Sequence, residues 1–150
     1  MNRVKTAVAC FFAAVSAWLG VLAVPVYVLV LVNLVDYFTG IAASVFRKEA
    51  VSSYRGIRGI VKKVCMWLLV GVGAAVDWML LFAAQASGAP APFRFFTASL
   101  VAVWLICNEI ISILENISEI GVGLPPFLVR LVKGIQKQAE SGADGISEKK

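Results

Sequence analysis

Residues 6–35 read TAVACFFAAVSAWLGVLAVPVYVLVLVNLV, thirty positions without one charged side chain. A soluble domain of 150 residues rarely goes without charge for so long. The rest of the chain is similarly apolar, with 60% hydrophobic residues, no histidine and a mean hydropathy of +0.86. As a single straight helix the stretch would reach about 45 Å, against a hydrocarbon core of about 30 Å. Gly20 and Pro25 divide it, and both weaken helix continuity. The expectation is two membrane spans joined by a tight bend, residues 6–23 and 26–46.

Two more apolar segments follow, residues 64–86 and 93–114, separated by the helix-breaking run Ser-Gly-Ala-Pro-Ala-Pro at 87–92. A Gly-Pro hinge then leads to an amphipathic segment, 125–138, and a polar tail, 139–150, expected to be flexible. The predicted fold is an all-α integral membrane protein of about four transmembrane helices, forming one domain over 1–138. Arg3 and Lys5 before an apolar run resemble a secretory signal. With three apolar segments behind it, the first is expected to stay in place as a transmembrane helix.

Charge gives the orientation. Arg47, Lys48, Arg55, Arg58, Lys62 and Lys63 crowd the loop between spans two and three, opposed only by Glu49. With four spans and the N-terminus inside, only Arg94 of the fourteen cations falls outside, a strong positive-inside bias. Both termini are therefore expected in the cytoplasm. The basic loop and the segment from Pro125 read as amphipathic surfaces for the anionic inner leaflet. The same pattern also describes solvated helices covering the inner ends of the spans. Cys10, Cys65 and Cys107 lie in apolar runs without metal-ligand spacing and read as small packing residues.

Three carboxylates interrupt the apolar segments: Asp36, Asp77 and Glu109. A charge near the bilayer centre costs about 2.5–3.5 kcal/mol, so these groups are expected to be protonated, or paired against protein or water. Asn33, Asp36, Gly40 and Ser44 share one helix face. Asn108, Ser112, Glu115 and Glu119 form a stripe, with Glu109 and Asn116 beside it. Such stripes act either as glue between helices or as faces that line water once an assembly opens. Gly71 with Ala75 offers a ridge for close helix approach. Catalysis finds no support, since there is no histidine, nucleophile elbow or phosphate-binding glycine loop. No cofactor, metal or nucleic acid is implied.

Three strings in order carry a resemblance. They are Asp36-Tyr37-Phe38-Thr39-Gly40; Ser53-Tyr54-Arg55-Gly56-Ile57-Arg58-Gly59 ahead of Lys62-Lys63; and Asn108 through Asn116, followed by Gly121 and Pro125. Together they resemble the phage-lysis and toxin-secretion holin family over residues 31–131. The resemblance implies a homo-oligomer in the bacterial inner membrane that permeabilises it, letting an endolysin or a toxin leave the cytoplasm. Carried over by position, Asp36 and Gly40 belong to the first motif and Arg55, Gly56 and Gly59 to the second. Asn108, Glu109, Ser112, Glu115 and Asn116 belong to the third. Periodicity alone also admits a small ion channel or proton-coupled transporter using the carboxylates, or a membrane scaffold.

Overall fold

The structure, a computed structural model, describes residues 3–47, 53–90 and 93–147. Its elements are α1 (Arg3–Leu19), a 3-10 turn (Gly20–Leu22), α2 (Ala23–Phe46), α3 (Ser53–Ser87), α4 (Phe96–Glu119) and α5 (Pro126–Ser147). No strand occurs among the described residues.

The long apolar stretch bends where Gly20 stands, at φ +54°, a conformation that favours glycine. Pro25 falls in the first turn of α2, where its missing N–H breaks no helical bond. The two arms then lie side by side. The Ser16 and Tyr27 hydroxyls are 2.9 Å apart, and the Phe12 and Tyr27 rings sit at 6.0 Å. In a straight helix Phe12 and Tyr27 would be about 22 Å apart. Three helical stretches are long and apolar enough to cross a membrane: Arg3–Phe46, Gly56–Ser87 and Phe96–Glu119. The first of them is this hairpin rather than one rod.

Helix α4 is the centre of the bundle, with α2, α3 and α5 each packed on it. Its buried face is built from Ala98, Ala102 and Leu105, meeting Leu22, Leu29, Met66 and Val70. Two alanines at i and i+4 let the neighbouring backbones come close. Outside, Phe11, Trp18, Leu31, Phe38, Leu68, Trp78 and Phe82 are all more than half exposed. So much apolar surface on one chain suits lipid, where helices satisfy their own backbone groups.

The structure redraws four expected boundaries. Helix α3 is continuous from the basic segment into span three, 35 residues or about 52 Å, because Gly56 and Gly59 weaken the helix without breaking it. Helix α4 starts at Phe96 rather than 93, since Phe95 adopts a left-handed φ of 61° that no helix continues. It runs past Leu114 to Glu119, so the whole polar stripe is helical. Finally, residues 139–147 are helical rather than a flexible tail. Ala139 is buried and the backbone at Gly142 lies against Leu100, so packing on α4 carries the helix on. Helix α5 thus runs lengthwise along α4.

Candidate functional site

The intramembrane polar groups gather at two levels. The first is a layer built by three helices in matched register. Asp36 lies ten residues before the end of α2, Lys63 ten after the start of α3, and Glu109 ten before the end of α4. Ten residues are about 15 Å of helix, so the three side chains meet at one height. Lys63 Nζ donates to Asn33 Oδ1 at 3.0 Å, Asp36 Oδ2 at 2.9 Å and Glu109 Oε2 at 2.5 Å. Asn116 Nδ2 donates to Asp36 Oδ1 at 3.3 Å and to Thr39 Oγ1 at 3.2 Å, with Gly40 beside that amide. Glu109 is fully buried. Its other oxygen, Oε1, has no hydrogen bond and lies 3.9 Å from Lys62 Nζ. Two carboxylates therefore face two lysines, and the layer is close to electrically neutral.

That arrangement answers the cost of intramembrane charge. Of the expected alternatives, pairing is the one the geometry shows for Asp36 and Glu109. It also corrects the place given to Lys63. Instead of resting on the inner leaflet, its flexible stem reaches into the bundle and bridges Asp36 and Glu109. Of the other loop cations, Arg47 pairs with Glu119, while Arg58 and Lys62 are exposed. Lys48 and the side chain of Arg55 lie outside the described residues.

The second level is Asp77, which is 3% exposed. Its two oxygens accept from the backbone N–H groups of Thr97 and Ala98, each at 2.8 Å. A carboxylate on α3 thus caps the first turn of α4, where free N–H groups and the helix dipole favour an anion. Gly73, one turn earlier on α3, makes this approach possible: a Cβ there would stand 2.9 Å from Ala98 Cα. Gly71, the residue expected to give close packing, faces open space.

Beside the layer a groove runs between α3 and α4, and α5 closes its far part. Its half beside Glu109, about 470 Å³, carries Lys62, Cys65, Asn108, Ser112 and Glu115 on a wall that Met66, Leu69, Trp104, Leu105 and Ile111 make mainly apolar. Its other half, about 280 Å³, is apolar, with Leu69, Leu100, Leu105 and Ala139. Two bonds tie α5 to α4: Gln136 Nε2 donates to Asn108 Oδ1 at 2.8 Å, and Trp104 Nε1 donates to Glu140 Oε1 at 2.7 Å.

The expected stripe on α4 and its two neighbours therefore part. Glu109 and Asn116 turn into the layer, Asn108 and Glu115 line the groove, and Ser112 stands between, on the groove wall and hydrogen-bonded to Asp36. Gly121, at φ 102°, closes α4 through Gly121 N–H to Ser118 O and Val122 N–H to Ile117 O, and Pro125 O accepts the Leu128 N–H at the start of α5. The sequence reading missed Gly73, the bridging role of Lys63 and the α4–α5 seam. The Gly73–Asp77 spacing of one turn was the signal for the cap.

Residues 13–137 match the bacteriophage holin family. The chain belongs to that family. Holins are membrane pore formers without enzymatic activity. Similar curated proteins are an uncharacterised protein of Clostridium perfringens, 31% identical over 85% of this chain and 87% of its own length. Another, of Listeria monocytogenes, is 33% identical over 79% and 75%. A third, of Halalkalibacterium halodurans, is 30% identical over 87% and 93%. No solved structure matches the chain. Measured against the family, the polar layer of this holin draws on two of the three motifs plus Lys63.

Proposed function

We propose that this holin oligomerises in the bacterial cytoplasmic membrane and opens a lesion through which an endolysin or a toxin leaves the cell. The observation that carries the reading is the ionic layer joining Asp36, Lys63 and Glu109 inside apolar helices. A closed bundle keeps those charges paired. Separation of α2, α3 and α4 would release them, and ionised groups leaving low dielectric gain most if water replaces their partners. The bend at Gly20 supports two crossings by residues 3–46, and the lysine and arginine distribution supports a cytoplasmic N-terminus and basic loop, whereas α5, running back along α4, takes its own end away from that side.

The test is inducible expression in a bacterium carrying a cytoplasmic endolysin without a signal sequence. Membrane potential and release of a cytosolic reporter protein are followed together. Abrupt depolarisation with reporter release and lysis is expected. Depolarisation without protein release would favour an ion-selective channel, and an unchanged membrane would favour a scaffold.

A further inference from the structure

We infer that the groove between α3 and α4, together with the charged part of the outer face of α5, is the water-facing wall of the subunit. The inference deepens the lesion reading and rests on it in one respect, that subunits surround a shared aqueous space.

Helix α5 follows α4 from Asn108, beside the buried Glu109, to Leu100, four residues from the other end of α4. It therefore lies along a helix apolar enough to cross the membrane. Yet its exposed side carries Arg130, Lys133 and Lys137, interleaved with Phe127, Leu131 and Ile135. Each charge turned to lipid at that depth costs about 2.5–3.5 kcal/mol, which disfavours acyl chains on the charged part of this side. The groove beside it points the same way. Asn108, Ser112, Glu115 and Lys62 line it, and Glu109 leaves Oε1 without a hydrogen bond there. A buried carboxylate oxygen with a free acceptor site, next to a groove of that volume with these polar groups on its wall, calls for water. The opposite side of the molecule has Phe11, Leu31 and Phe38 outermost and offers water nothing.

The chain carries its own probes. Cys65 is exposed in the half of the groove beside Glu109, nine residues into the Gly56–Ser87 stretch. Cys10 is exposed on α1, among apolar neighbours. Both thiols are open in the subunit, but only one opens beside polar groups.

The experiment reconstitutes the full chain in phospholipid vesicles and labels it with a charged, water-soluble maleimide on both sides of the bilayer. Modified peptides are quantified by mass spectrometry, with dye leakage followed in parallel. Because the reagent needs water and thiolate, Cys65 is expected to react at least about tenfold faster than Cys10. In a chain whose three cysteines are replaced by serine, Lys137→Cys is expected to react and Phe38→Cys to stay protected. Equal protection of Cys65 and Cys10 would overturn the inference. So would a reactive Lys137→Cys with Cys65 silent, since α5 would then sit in water away from the groove. Rapid labelling of Cys65 in vesicles that never leak would uphold the wall and sink the lesion reading instead.

Discussion

At the scale of single residues, Lys63 holds the largest share of the electrostatics. It is 20% exposed and bridges two acids, one of them fully buried. Lys63→Met leaves Asp36 and Glu109 facing one another without a shared cation. Removing one partner of a buried ionic group typically costs about 3–5 kcal/mol, and thermal unfolding in detergent micelles should show a loss of that order. The triple variant Lys63→Met, Asp36→Asn, Glu109→Gln should recover most of it, because no unpaired charge remains. A wild-type midpoint for the single variant would strip the layer of its structural role. Function follows the same logic. Asp36→Asn and Glu109→Ala alter the balance of the closed layer, and each is expected to change lysis timing or oligomer size. Normal timing and assembly in both would separate the layer from the opening event. The acids themselves were legible in the sequence, since a carboxylate in an apolar run draws attention. Their partner was not, because a lysine in a basic loop looks like any other loop cation until the helices are assembled.

At the scale of helices, the contrast between two glycines on α3 is open to direct measurement. Gly73→Ala drives a Cβ into the backbone of Ala98, and backbone cannot give way as a side chain can. A loss of about 1–3 kcal/mol is expected from such overpacking. Gly71→Ala meets nothing and should hold or raise stability by up to about 1 kcal/mol through helix propensity. Reversed signs in the two melting curves would contradict the close approach of α3 to α4. Asp77→Ala removes the cap on α4 at a cost of about 0.5–2 kcal/mol. Amide exchange at Thr97 and Ala98 should then speed up ahead of the rest of α4, and unchanged protection there would count against the cap. Helix number and order could be read from hydropathy, Gly20, Pro25 and the breaker run at 87–92. The course of α5 could not. An amphipathic period says that a helix has an apolar side without saying whether a membrane surface or another helix covers it, and here Trp104, Asn108 and Leu100 decide for α4.

For the whole molecule, the two halves of the groove differ in a way that bears on how conduction arises. The half around Glu109 carries Lys62, Asn108, Ser112 and Glu115 on an otherwise apolar wall, while the half around Leu100 and Ala139 is almost wholly apolar. Water admitted to one subunit meets a dry end, so a through-path has to come from several subunits. Leakage from reconstituted vesicles should therefore rise more steeply than linearly with the amount of protein per vesicle. A linear dose response would make the single subunit the conducting unit.

The stagger of the central helices has one further consequence. The apolar run of α3, residues 64–87, is 24 residues, about 36 Å, as long as α4. Asp77 ties the start of α4 to α3 ten residues before α3 ends, so the two are offset by about 15 Å and no single bilayer position matches both. In a membrane of about 30 Å, α3 must lean or leave its last turns, with Trp78, Met79 and Phe82, standing beyond the end of α4. Acyl-chain length thus becomes a control variable. A thicker bilayer relieves the mismatch along α3 and worsens it along α4, and the strain is delivered to the Asp77 contact.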